Sequence, residues 1–111
     1  INGDFNDTSD VSLKENIVDI TDGITKIKAL KPRTFDWKEK NKPQKTNGFI
    51  AQEVETVLPN DVVGDNYDSD NPEHGSKAIN TSGLLAVAVK AIQEQQTIID
   101  NLKSRIETLE G

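Results

Sequence analysis

From Ser82 to Gly111 the apolar residues recur in alternating steps of three and four, and no other feature constrains the chain as much. Leu85, Ala88, Ile92, Gln95, Ile99, Leu102, Ile106 and Leu109 form a heptad seam, with Leu85, Ile92, Ile99 and Ile106 at its first core position. One helix cannot bury such a stripe by itself, so the spacing predicts partner helices or a docking surface. Leu84, Val89, Ala91 and Ile98 flank the seam and widen its apolar face. That width, with polar Gln95 in the core, favours three strands, although alternating β-branched and Leu residues by themselves suit a dimer. In parallel register Arg105 would face Glu110 of a neighbouring chain. The simpler arrangement is a long amphipathic helix lying on its own domain. The polar stretch from Gln93 to Gln96, and the residues beyond Asp100, speak against it, because a chain this small offers little core to receive the whole helix.

A length of 111 residues, 33% of them apolar, allows one compact domain with an appendage, and burial per chain is marginal at that size. Association would supply what a single copy lacks. The net charge of −6 argues against nucleic acid as a partner, since binding phosphates requires clustered Lys and Arg. Neither a membrane segment nor a signal peptide nor a lipidation motif is legible, so no membrane partner is expected. With no cysteine, disulfides and thiolate metal sites are excluded. The chain opens on Ile1 in place of Met, which predicts a longer parent sequence.

Along the chain, INGDFNDT (residues 1–8) is polar, with a tight turn expected at Asn2-Gly3, and reads as a linker. In SDVSLKENIVDI, Ser9 is expected to cap a short helical turn and Leu13, Ile17 and Ile20 to face a core. Asp22-Gly23 opens a short helix with Ile24, Ile27 and Leu30 on one side, ended by Pro32. Arg33 to Lys38 alternates as a half-buried strand with Phe35 and Trp37 on one face. After a polar turn, Gly48 to Ile50 reads as a short strand entering a helix from about Gln52 to Leu58, with Ile50, Val54, Val57 and Leu58 on one face. Val62-Val63 predicts a brief strand, Gly64 to Ser76 an exposed loop, and Lys77 to Asn80 an edge strand before Thr81 or Ser82 caps the long helix. The expectation is an α+β chain: residues 9–80 a small globular domain, residues 81–111 a helix for a parallel trimeric coiled coil.

Few residues could carry chemistry. Asn66, Asp68, Asp70 and Glu73 suggest a calcium loop, but Asn71 stands where glycine is needed and Lys77 where a bidentate Glu is needed, so neither metal nor cofactor is expected. His74 is the lone histidine, without a second ligand, and reads as a surface residue. Ser9 and Lys14 form the sharper candidate. A serine hydroxyl becomes a nucleophile when a base takes its proton, and a lysine is such a base once burial favours its neutral form. On a regular helix a separation of five places side chains about 140° apart. The pair therefore needs an irregular turn over Asp10 to Leu13, or a lysine reaching in from another copy. Taken alone, the two read as a capping serine and a surface lysine.

The order SDVSLKENI, ITKIKALKPRTFDWK, NGFIAQEVETVLP and LLAVAVKAIQEQQTIIDNLKSRIETLE resembles the endosialidase-type intramolecular chaperone family. These are the self-cleaving C-terminal domains of phage tailspikes, tail fibres and neck appendages, found also in some eukaryotic membrane-anchored transcription factors. The resemblance runs from about Ser9 to Glu110. Its most specific pieces are Ser9, Asp10, Leu13 and Lys14 at the opening and the Gly-Phe-Ile-Ala-Gln-Glu-Val run from Gly48 to Val54.

The resemblance implies a homotrimer that assists folding of a β-rich fibre or spike segment upstream in the same polypeptide, then severs itself. It places residues 1–8 as a linker or the end of that cargo and residues 9–80 as the chaperone and peptidase domain. It also implies a phage protein made in the host cytoplasm, its chaperone released from the fibre after cleavage. By the same resemblance Ser9 is the nucleophile, Lys14 the general base, and Thr8-Ser9 the scissile bond. Many members carry arginine where this chain has Ser12, which leaves Ser12 as a minor rival hydroxyl. Asp10 is expected to order the turn through a side-chain to backbone bond. Oxyanion donors would be backbone N–H groups or a side chain such as Asn16 or Gln52. Two rivals are a trimerisation module without peptidase activity and a sugar-binding fibre tip. The second needs an aromatic surface, whereas Phe35, Trp37 and Phe49 read as buried.

Overall fold

The computed structural model describes residues 8–111, so the expected Asn2-Gly3 turn and most of the linker lie outside the described residues. A 3₁₀ turn at Val11–Leu13 comes first, followed by helix α1 (Gly23–Ala29), strands β1 (Arg33–Phe35) and β2 (Thr46–Gly48), and helix α2 (Ala51–Glu55). A 3₁₀ turn at Pro59–Asp61, strand β3 (Val62–Val63), a further 3₁₀ turn at Pro72–His74, strand β4 (Ala78–Ile79) and helix α3 (Thr81–Glu110) follow. β1 and β2 form one antiparallel ribbon with Thr34 opposite Asn47; β3 and β4 form another with Val62 opposite Ile79. The fold is α+β, a knot of short elements followed by a long helix. No helix among the described residues is long and apolar enough to cross a membrane.

The core is small. Leu30, Val54, Leu58, Val62, Leu84 and Val87 are buried together, with Ile20, Ile27, Phe49, Ala51, Val57 and Ile79 packed around them. α2 is short because its last turn tightens, with Thr56 N–H and Val57 N–H reaching back only three residues to Glu53 O at 3.3 Å and Val54 O at 2.9 Å, and Pro59 then starts the next turn. The start of α3 supplies Leu84, Val87 and Ala91 to this core. Leu84 and Ala91, read in the sequence as widening a coiled-coil face, thus dock the helix on its own domain, and they carry no argument about strand number. The seam proper faces elsewhere: Leu85, Ile92, Ile99, Leu102, Ile106 and Leu109 are exposed in the single chain.

α1 crosses α3 at very short range. A Cβ on Gly23 would lie 2.6 Å from the Ala91 nitrogen, so only glycine permits the approach. Asp22, before it, is in the left-handed region (φ 57°) and its side chain makes no capping bond. Glu94 of α3 caps α1 instead, its Oε1 accepting the Ile24 N–H at 2.8 Å. Gly23→Ala forces a backbone to give way, and the expected cost is about 1–3 kcal/mol of stability, read from the urea midpoint.

The Glu94 carboxyl is held below its ordinary value of 4.5, chiefly by the Ile24 N–H, against partial desolvation and with help from the Gly23 N–H, Lys90 and Lys26. Because the folded value is the lower one, the unfolded chain binds the proton first as pH falls. The stability from this cap is complete above the ordinary value and disappears as pH drops through the folded value. Glu94→Gln is expected to lower the melting temperature near neutrality and to flatten its fall on acidification, measured by circular dichroism.

Several sequence expectations are corrected. Asp10, not Ser9, caps the first turn, its Oδ1 accepting the Ser12 N–H at 2.8 Å. Leu13 and Ile17 are exposed, and of the three residues expected inward only Ile20 reaches the core. The first strand ends at Phe35, so the alternation does not carry Trp37 inward; its ring meets Phe35 edge-on at 5.2 Å and remains partly exposed. The next strand is Thr46–Gly48, earlier than expected, and α2 begins at Ala51. Asn80 precedes α3, with no side-chain capping bond of its own. Asp61 serves that end: its carbonyl accepts the Asn80 N–H at 2.7 Å, and its carboxylate lies against Gly83, where a Cβ would overlap it. A negative group there favours the positive end of the helix.

Candidate functional site

The upstream end of the domain is where sequence chemistry and geometry meet. Asp10 Oδ1 accepts both the Ser12 N–H and the Ser12 hydroxyl, at 2.8 and 2.7 Å, which winds Val11–Leu13 into a 3₁₀ turn. The tighter turn and an extended Lys14 (φ −123°, ψ 155°) undo the angular separation that a regular α-helix would impose. Lys14 Nζ lies 2.5 Å from Ser9 Oγ and donates to it. Ser12 donates its hydroxyl to Asp10, and among the described residues no hydrogen bond joins it to the amine. The Asp10 carboxyl is held below its ordinary value, first by the Ser12 hydroxyl and then by the Ser12 N–H, which suits an acceptor that orders a turn.

Thr8, Ser9 and Lys14 are all exposed in the single chain. An ammonium that donates to a hydroxyl cannot take its proton; the same contact reverses its sense once the amine is neutral. The contact within the single chain is thus of the kind that general-base activation of a hydroxyl would use.

The two side chains considered as oxyanion donors are placed differently. Asn16 adopts a left-handed backbone (φ 54°) and bends the segment after Lys14. The Gln52 amide donates to Asn66 Oδ1 at 3.0 Å, tying α2 to the loop after β3. Among the described residues no hydrogen bond joins either of them to Ser9 or Lys14.

The run from Gly48 to Val54 holds the domain together. A Cβ on Gly48 would come within 3.2 Å of the Phe35 ring, so glycine lets that ring lie across β2. Phe49 and Ala51 pack on the core, and Val54, at 1% exposure, is its centre. Glu53 receives a two-pronged bond from Arg33, at 3.0 and 2.6 Å, joining α2 to β1. Phe35, Trp37, Phe49 and Tyr67 share one groove with Gln52 and Lys77. The charges there are already engaged: Asp36 accepts the Lys45 N–H at 2.8 Å, and Lys77 pairs with Glu55 at 3.2 Å. Sequence reasoning missed Glu94, Asp61 and Val87, whose roles depend on which elements meet.

What these features define is a small α+β domain built on the first turns of a long helix, with a serine hydroxyl and a lysine amine paired at its upstream edge. Residues 9–63 match the model of a peptidase family described as the chaperone of endosialidase, and the chain carries a domain of that family. A comparison with curated proteins finds no match. The matched region holds the hydroxyl–amine pair, α1, the first ribbon and α2, and it stops at the end of β3.

Proposed function

We propose that this chain is a C-terminal intramolecular chaperone that associates in threes, assists folding of a β-rich fibre or spike segment upstream in the same phage polypeptide, and then releases itself by cutting Thr8-Ser9. The observation that carries the cutting step is the 2.5 Å contact between Lys14 Nζ and Ser9 Oγ. Ser9 Oγ attacks the Thr8 carbonyl carbon while Lys14, as the neutral amine, takes the hydroxyl proton. Collapse of the tetrahedral intermediate breaks the C–N bond, the Ser9 nitrogen receives that proton, and Thr8 is left as an ester on Ser9 Oγ. Water then hydrolyses the ester, leaving a carboxylate on Thr8 and a free amine on Ser9. Such single-turnover chemistry needs no substrate cleft.

Association is supported by the exposed seam from Leu85 to Leu109, flanked by Val89 and Ile98, which are also exposed. A three-stranded coil would bring upstream chains into register at high effective concentration, which helps β structures whose pairing is long-range and slow. Release after folding would leave the cargo kinetically trapped in its native form. Ile99→Glu, which puts a charge in the seam, is expected to reduce the mass measured by light scattering from three chains to one.

Mass spectrometry of the chain carrying its natural upstream segment tests the cutting step. A fragment beginning at Ser9 is expected; an associated chain that stays whole indicates the alternative, a trimerisation module without peptidase activity.

A further inference from the structure

The buried centre of the core is wholly aliphatic. Every aromatic ring among the described residues lines one groove instead, formed around Phe35, Trp37, Phe49 and Tyr67, with Phe49 backing it onto the core. A domain with few buried side chains thus leaves its one tryptophan 40% and its one tyrosine 59% exposed, although burying either ring would add stability. Both rings are held in place without being covered. Lys42 Nζ stands 4.3 Å from the centre of the Trp37 ring, and Phe35 meets that ring at 87°. The loop that carries Tyr67 is tied down on either side of it. Asn66 Oδ1 accepts the Gln52 amide at 3.0 Å, and Lys77 Nζ donates to Gly64 O at 3.3 Å.

The polar groups of the groove select among ligands. Lys77, the cation that lines it, is spent on Glu55 and on Gly64 O, so it has little left to offer an anion. Asp36 uses Oδ1 for the Lys45 N–H and Gln52 uses its amide N–H for Asn66. Among the described residues no hydrogen bond engages Asp36 Oδ2, Gln52 Oε1, the Ser76 hydroxyl or the Tyr67 hydroxyl. Two of these four are pure acceptors, and the two hydroxyls accept as well as donate. Held aromatic rings beside unpaired acceptors suit a molecule with an apolar face and an edge of hydroxyl donors, which is a pyranose. We propose that this groove binds a neutral sugar, with the C–H face of the ring on Trp37 and Tyr67 and its hydroxyls donating to Asp36 Oδ2 and Gln52 Oε1. At about 440 Å³ the groove falls within the range of about 300–1,000 Å³ usual for small-molecule sites, with room for a short oligosaccharide. Such binding goes beyond folding and release and depends on neither, since the groove shares no lining residue with the Ser9–Lys14 pair.

The fluorescently labelled chain, applied to an array of neutral and charged glycans, is expected to be retained by neutral oligosaccharides. Titration of the unlabelled chain with a retained oligosaccharide is expected to change the emission of Trp37, the one tryptophan, in a saturable way. Asp36→Asn keeps an oxygen for the Lys45 N–H and removes the charged acceptor, and is expected to weaken binding about tenfold, the share of one hydrogen bond to a charged group. Tyr67→Ala, at an exposed position, is expected to weaken it several-fold with the circular dichroism spectrum unchanged. Ser9→Ala is expected to bind as the parent does. Retention by no neutral glycan overturns the proposal, and so does retention by sulfated, phosphorylated or carboxylated glycans alone. Binding that survives both Asp36→Asn and Tyr67→Ala at the parent's strength places the sugar elsewhere and overturns it as well.

Discussion

A Ser9→Ala chain carrying its natural upstream segment is expected to stay whole under conditions in which the parent releases a fragment beginning at Ser9, and to keep the parent's assembled mass. The separation of effects follows from where the residue lies. Ser9 is exposed, caps no helix and lies outside the core cluster, so removing its hydroxyl takes away the attacking atom and little else. Lys14→Met, which keeps the stem and removes the amine, is expected to slow cleavage by about 10²–10⁴, the usual contribution of a positioned proton acceptor. Ser12→Ala provides the contrast. It removes the hydroxyl bond to Asp10 but leaves the Ser9–Lys14 contact to be held by the turn, and a loss comparable to that of Ser9→Ala would move the nucleophile to Ser12. Denaturing gels and intact mass resolve all three.

The second large effect distinguishes two neighbouring leucines of α3. Leu84 is 6% exposed, in the core with Val54, Leu58 and Val87, whereas Leu85 is 64% exposed, on the seam. Leu84→Ala is expected to cost about 2–5 kcal/mol, by lost transfer energy and by the cavity it leaves. In a domain with so few buried side chains that is a large share of the total stability. Leu85→Ala in an Ile99→Glu background, where no seam partner is present, is expected to change stability by less than about 0.5 kcal/mol. Its effect should emerge only in the associated chain, as a weakened assembly. Urea titrations of the two variants give the comparison, and similar midpoints would mean that α3 presents a different face to the domain.

The sequence by itself determined much of this protein. Periodicity in steps of three and four set the long helix, and Pro32 and Pro59 bounded α1 and α2 because proline removes a donor and restricts the residue before it. Local chemistry also foretold the irregular turn at Asp10, a side-chain acceptor two residues before a free N–H. Spacing could not say which half of a broad apolar helix face turns inward. Leu84, Val87 and Ala91 face the domain because glycine at position 23 lets α1 approach the α3 backbone, a match between residues far apart in the chain. The same holds for Glu94 capping α1 and for Asp61 at the start of α3, since each end is completed by a side chain from another element. Exposure of Leu13, Ile17 and Trp37 belongs to this second kind, because an apolar residue is buried only where another surface arrives to cover it. Hydrogen bonds within a few residues are local and legible in the chain; burial is a property of pairs of surfaces, and only the tertiary structure decides which pairs form.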